Sequence, residues 1–164
     1  MQRKGPIHLL QYIKNFPLIP PVMNTVLQQD QLMIMMVGGP NHRFDYHINP
    51  TNEWFYQLKG DMTLKIIEQS NFKEIIIKEG ESFLLDANIP HSPQRFKDTL
   101  GLVIEMVRPS HSLDILQWYC KSCKHLMYET SLRVQDLNKD LIKPIKEYTS
   151  KKHTCSNCKT EHIY

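Results

Sequence analysis

The sequence predicts an all-β fold, a jelly roll or closed barrel, with a short N-terminal helix and a small metal-binding unit at its C-terminus. Three observations point there. Short apolar or alternating runs recur at even spacing from residue 22 to about 108. Turn residues punctuate them at Gly38-Gly39-Pro40, Asn49-Pro50, Gly60-Asp61, Gly80 and Pro90. All four cysteines fall in the last third of the chain as two C-x-x-C pairs. A chain of 164 residues suffices for one domain with a real core and an appendage. The change of texture puts the division between 1–109 and 110–164.

Taken in order, Leu9, Leu10, Ile13 and Phe16 have helical spacing over 8–16, with a stop at Pro17 and a turn at Pro20-Pro21. Strands are predicted at 31–37, 53–58, 62–67, 72–78, 82–85 and 100–107. In the second of these, alternation sends Trp54 and Tyr56 to one face and Phe55 to the other, as barrel packing rather than a stacking platform. Beyond Pro109, Leu113, Leu116, Trp118 and Tyr119 run into Cys120, and 132–141 is spaced like a helix interrupted near Pro144.

Charge and hydropathy exclude several classes. The net charge of +3 is slight and the basic residues are mixed with acidic ones, so no nucleic-acid partner is expected. The lysine-rich stretch 139–152 reads as a solvated helix face. No segment approaches the roughly 20 apolar residues that span a bilayer. His8, Gln11 and Lys14 break up the N-terminus, which lacks a signal-peptide core. The expectation is a soluble cytoplasmic protein with no membrane partner. In a reducing compartment the paired cysteines argue for metal ligation rather than disulfides.

The central constellation is H-I-N-P-T-N-E, from His47 to Glu53, followed about one hairpin later by G-E-S-F-L-L-D-A-N-I-P-H, ending at His91. Two imidazoles and a carboxylate make the facial triad suited to Fe(II), because three adjacent coordination positions stay open for substrate and dioxygen. Zinc accepts the same donors. The Asn49-Pro50 turn is expected to bring His47 and Glu53 together across adjacent strands, with His91 supplied by a third. One carboxylate leaves a divalent ion with net positive charge, which favours an anionic, chelating ligand. Arg43 lies four residues before His47 and Arg95 four after His91, each on the ligand face if its run is extended. Arginine suits bidentate capture of a carboxylate. Glu105 sits in an apolar run and needs a partner. Asn24 is a weaker candidate for the pocket wall. Each residue alone also fits a plainer role: a partly buried histidine, a surface carboxylate, a surface ion pair or, for Glu105, the partner of a core arginine.

From His47 to Gly60 the pattern H-x-N-x-x-x-E-x-x-x-x-x-x-G resembles the first cupin motif, with Asn49 where many cupins have a second histidine. From Gly80 to Arg95 the chain resembles the second motif, with Asp86 and Asn88 in place of the usual proline and glycine. More specifically, G-G-P-N-x-R-x-D-Y-H, E-W-F-Y-Q-L-K-G-D-M and P-H-S-P-Q-R together resemble the 3-hydroxyanthranilate 3,4-dioxygenase family, over nearly the whole chain. The resemblance implies a cupin barrel, a homodimer and catalytic Fe(II) held by His47, Glu53 and His91. It implies extradiol cleavage of 3-hydroxyanthranilate by O2 to 2-amino-3-carboxymuconate semialdehyde, the precursor of quinolinate on the route to NAD. By the same resemblance Arg95, Glu105 and Glu53 hold the substrate and Arg43 faces oxygen. Cys120, Cys123, Cys155 and Cys158 correspond to a rubredoxin-like site found in some members, and the residues themselves leave iron and zinc open there. Two rival functions fit the residues. One is a cupin dioxygenase for another anionic substrate, and Arg43 with Arg95 counts against an uncharged one. The other is a small-molecule-binding module whose cysteine unit acts as a zinc ribbon, for which Lys121, Lys124, Lys151, Lys152 and Lys159 make a weak basic patch.

Overall fold

The computed structural model describes residues 5–15, 23–41 and 43–164. Burial alternates strictly along β4 (Glu53–Lys59): Glu53, Phe55 and Gln57 are buried, while Trp54, Tyr56 and Leu58 are half-buried on the outer face. That period of two is what a strand with one face on a core requires. Trp54 and Tyr56 stack on each other outside, with ring centroids 5.7 Å apart, and Phe55 is 1% exposed inside.

Two antiparallel sheets enclose this interior. The five-stranded sheet runs β1 (Asn24–Gln29), β2 (Leu32–Gly38), β9 (Leu100–Met106), β4 and β7 (Ser82–Leu85). The six-stranded sheet runs β11 (Leu126–Leu132), β10 (Asp114–Tyr119), β3 (Asp45–Ile48), β8 (His91–Arg95), β5 (Met62–Glu68) and β6 (Asn71–Ile77). Non-sequential neighbours in both sheets give the double-sheet jelly-roll arrangement. The six anticipated strands all form, each end within one residue of its expected place. The N-terminal helix also forms, as α1 (Leu9–Asn15), and Leu9 and Tyr12 pack with Ile7 on Leu27, Met36 and Leu100 outside the five-stranded sheet. Its expected last apolar residue Phe16, the stop at Pro17 and the Pro20-Pro21 turn lie outside the described residues.

The expected division at residues 109 and 110 does not coincide with an edge of the barrel. β10 pairs with β3 along Ile115↔Ile48, Leu116↔His47, Gln117↔Tyr46 and Trp118↔Asp45, and β11 extends the sheet beyond it. Leu116 and Trp118, both fully buried, complete the barrel core together with Phe55, Leu64 and Met62. The helix expected over 132–141 is also displaced. Leu132 ends β11, and helix begins only at α2 (Leu137–Asp140), followed by α3 (Ile142–Thr149). Pro144 lies in the first turn of α3, where its missing N–H has no intrahelical acceptor to lose, so it starts a helix instead of interrupting one. Ile145 and Tyr148 of α3 join the same core, with Tyr148 stacked on Trp118 at 4.5 Å and on His153 at 3.8 Å. A short hairpin of β12 (Lys152–Thr154) and β13 (Glu161–Ile163) closes the chain. No helix among the described residues is long and apolar enough to cross a membrane.

Because Trp118 belongs to the barrel core, Trp118→Ala should cost about 3–5 kcal/mol and lower the urea midpoint of barrel and C-terminal unit in one transition. Trp118→Phe should cost much less, since the indole N–H it removes has no hydrogen-bond partner among the described residues. Two separate unfolding transitions in Trp118→Ala would show that the segments fold independently.

Candidate metal centre

His47 and His91 are register neighbours on β3 and β8 of the six-stranded sheet, with ring centroids 5.2 Å apart. Glu53 reaches them from β4, in the opposite sheet. The expected contact of His47 and Glu53 across adjacent strands is therefore replaced by a contact across the barrel, because the chain from Asn49 to Asn52 crosses between the sheets. Asn49, 2% exposed, makes that crossing specific: its Oδ1 accepts from Thr51 N–H at 3.0 Å and its Nδ2 donates to Glu53 Oε1 at 2.9 Å.

The three candidate ligands are buried, and one donor atom from each lies within 4.8 Å of the others. Glu53 Oε1 and His91 Nε2 are 3.2 Å apart, close to the roughly 3 Å that separates donors at right angles about a metal with bonds of about 2.0–2.2 Å. Tautomers follow from partners that can only accept. His91 Nδ1–H donates to the Ile89 carbonyl at 3.0 Å, and His47 Nε2–H donates to Asp114 Oδ2 at 2.6 Å. Each ring is thereby oriented with its other nitrogen toward the centre, where a metal would take the place of any proton. Burial disfavours charge on all three residues. For His47 it prevails and lowers the pKa; the Glu53 carboxylate outweighs it at His91, which is raised; and His91 outweighs it at Glu53, which is pulled down to about 2. The donor set, its spacing and its second contacts fit a divalent metal.

A buried network that the sequence did not reveal supports these ligands. Arg108 donates to Asp114 through Nε and Nη2 at 2.7–2.9 Å and to Glu105 Oε1 through Nη1 at 2.7 Å. Glu105 Oε2 also accepts from Asn49 Nδ2 at 2.6 Å. Glu105 thus has the core arginine partner anticipated as its plainer role, yet it points into the barrel and lines the site. Burial and the neighbouring Glu53 charge push it up to about 7 against the pull of Arg108.

Arg43 and Arg95 both line the same cavity, with Asn24 and an apolar wall that includes Met35, Val37, Phe55, Val103, Leu137 and Leu141. Arg43 lies two residues before β3, and burial alternates through Arg43, Asp45 and His47, which places it on the ligand face as expected. Its guanidinium is clamped on Asp45, through Nε to Oδ1 at 3.2 Å and through Nη2 to Oδ2. Arg95, 5% exposed, has no acidic partner among the described residues; its Nη1 donates to the neutral Gln57 Oε1 at 2.7 Å. Burial alone pulls its pKa down to about 9. Asn24 Oδ1 is buried without a hydrogen-bond partner among the described residues. No local period marked Arg108, Asp114, Asp45 or Gln57; for the last three the available signal was a charged or amide residue within a strand, and Arg108 lies outside one.

The four cysteines form a second candidate centre. Their sulfurs lie within 4.8 Å of one another, with Cys120–Cys158 at 3.5 Å and Cys123–Cys155 at 3.6 Å. A tetrahedron with metal–sulfur bonds of about 2.3 Å has edges near 3.8 Å. These separations fit shared ligation, and all four thiols are free of disulfides. Hydrogen bonding to Thr160 draws Cys158 down to about 6, favouring the thiolate.

A two-sheet barrel with a two-histidine, one-carboxylate cluster inside defines a cupin fold around a candidate mononuclear metal site. Solved structures agree on the fold: a cupin-2 domain protein of Shewanella frigidimarina aligns with a TM-score of 0.52 at 15% identity, over 62% of this chain and 94% of that one. A Neisseria meningitidis protein aligns at 0.50 and 16% identity, over 63% of this chain and 100% of its own. The model of the family described as 3-hydroxyanthranilic acid dioxygenase matches residues 1–149. The chain is 43% identical over 158 residues to the 3-hydroxyanthranilate 3,4-dioxygenase of Neurospora crassa, covering 94% of this chain and 88% of that protein. It is 46% identical over 155 residues to that of Scheffersomyces stipitis (93% and 86%) and 43% identical over 158 residues to that of Xanthomonas oryzae pv. oryzae (93% and 89%). This chain belongs to the 3-hydroxyanthranilic acid dioxygenase family.

Asp114→Asn should weaken divalent-metal affinity about 10- to 100-fold, read by competitive titration of metal-free protein; unchanged affinity in a folded variant would contradict its orienting role. A second expectation concerns pH. Between the ordinary carboxylate pKa of 4.5 and about 7, folded Glu105 keeps a proton that the unfolded chain has released. Its contribution to stability is therefore complete below 4.5 and is lost as pH rises through about 7. In metal-free protein, Glu105→Gln should flatten the fall in denaturant midpoint across that window, and an unaltered slope would count against the shift.

Proposed function

We propose that this chain is an Fe(II)-dependent ring-cleaving dioxygenase that converts 3-hydroxyanthranilate and O2 to 2-amino-3-carboxymuconate semialdehyde. The observation that carries the reading is Arg95: a buried guanidinium without a countercharge, facing a cavity that also presents the triad. Such a charge is costly unless a ligand anion completes it.

In this reading His47, Glu53 and His91 hold the iron, and Arg95 takes the substrate carboxylate in the bidentate geometry that guanidinium favours. Iron bound there would supply chelation of the substrate and dioxygen chemistry. Glu105, tied to Arg108 and Asn49, offers carboxylate oxygens to the polar edge of the ring, and the unpartnered Asn24 Oδ1 suits a donor such as the ring amine. Arg43, locked on Asp45, is preorganised to stabilise negative charge developing on oxygen without having to move. The apolar wall excludes water from the ring.

The four-thiolate unit binds iron or zinc and serves structure, tying the end of β10 to the C-terminal hairpin. Cysteines without disulfides at that site fit a reducing cytoplasm. A homodimer is supported by the outer face of the five-stranded sheet, where Ile34, Ile104, Trp54 and Leu84 align across four neighbouring strands and Leu32 and Met106 lie exposed beside them.

Anaerobic protein loaded with Fe(II), given 3-hydroxyanthranilate and then air, should consume O2 and develop the semialdehyde chromophore; no uptake with verified iron would remove the assignment. Arg95→Ala should chiefly raise KM, by about 100-fold or more for a lost charged contact of 3 kcal/mol. Arg43→Ala should chiefly lower kcat. The reverse partition would sink both roles.

A further inference from the structure

Arg95 is held firmly, and only by neutral groups. Its backbone N–H donates to Asn41 Oδ1 at 2.8 Å, and its carbonyl accepts from Asn41 N–H at 3.2 Å, which fixes where the side chain leaves β8. Its head is fixed by Gln57 Oε1 at 2.7 Å. Gln57 is fully buried on the inner face of β4, and its Nε2 donates to the Gly60 carbonyl at 2.7 Å. That carbonyl can only accept, so the amide cannot turn over and its oxygen must face Arg95. Gly101, the register neighbour of Gln57 on β9, provides the room: a Cβ there would lie 2.4 Å from Gln57 Oε1 and 3.0 Å from Arg95 Nη1.

The other two guanidiniums of the centre are treated differently. Arg43 rests on Asp45, and Arg108 rests on Asp114 and Glu105. Only at Arg95 is the carboxylate replaced by its neutral isostere. We propose that Gln57 is a positioning and specificity-determining residue: seated against Gly101, its uncharged amide aims the Arg95 guanidinium into the cavity while leaving the positive charge for a ligand carboxylate. The inference rests on the assignment of Arg95 to the substrate carboxylate. A glutamate at position 57 would make the same contact but satisfy the charge internally, and an incoming anion would then have to compete with it. With glutamine, a ligand lacking the carboxylate leaves Arg95 unpaired, which penalises the decarboxylated analogue rather than merely failing to reward the acid.

The test compares anaerobic binding of 3-hydroxyanthranilate and 2-aminophenol to iron-loaded protein. Wild type should prefer the acid by about 100-fold, as expected where a buried charged site is left unpaired. Gln57→Glu, which pairs Arg95 but gives up the bond to the Gly60 carbonyl, should bind the acid at least about tenfold more weakly and leave 2-aminophenol affinity within about twofold. Gln57→Met, which keeps Arg95 unpaired but releases its head, should bind the acid more weakly while still preferring it. Should Gln57→Glu fail to fold, Gln57→Met alone remains decisive on positioning: acid affinity equal to wild type overturns the proposal. An undiminished acid preference in folded Gln57→Glu also overturns it. Wild type that binds both ligands equally would instead overturn the assignment of Arg95, and the proposal with it.

Discussion

Arg108 donates to two carboxylates at once, one in contact with a candidate metal ligand and the other linked to a second through Asn49. Through Asp114 it holds the ring of His47, and through Glu105 and Asn49 it reaches Glu53. A guanidinium with five donors in a rigid plane can bridge two acids where an ammonium could not hold both orientations. Without it, Asp114 and Glu105 would face each other across a low-dielectric interior as like charges, and the ligands from opposite sheets would lose their common reference. The barrel brings His47, His91 and Glu53 near one another, and this network orients His47 and Glu53.

The same interior leaves one charge deliberately unmatched. Buried ionic groups are normally paired because desolvation is expensive, and Arg43 and Arg108 obey that rule. Arg95 is instead packed against a neutral amide, and its depressed pKa expresses the cost to the ligand-free protein. Stability withheld at such a position is available to a bound anion, the usual exchange between folding and function at a preorganised site.

β10 links the two candidate metal centres mechanically. Asp114 opens the strand at the His47 ring, Leu116 and Trp118 fill the core, and Cys120 follows its last residue. The cysteine unit is therefore the continuation of a barrel strand, stacked onto the core through Trp118, Tyr148 and His153. Tyr128 on β11 adds a further stacked contact to Tyr148.

Local chemistry made much of this legible from residues alone. Alternation and turn residues marked six strands, because a half-buried strand repeats every two positions whatever it pairs with. Metal donors announced themselves because only a few atom types bind metal, and His47 with Glu53, or Cys120 with Cys123, lie close enough in sequence to be seen as sets. The arginines stood out through their short spacing from the histidines. Folding supplied what spacing could not: that His47 and Glu53 meet across the barrel, that β10 and β11 complete its wall, and that Arg43 is paired while Arg95 is not. Those facts depend on partners such as Asp114, 67 residues from His47, and Gln57, 38 from Arg95. A strand's own pattern states which face is buried, but only its neighbours in the folded sheets determine what that face meets.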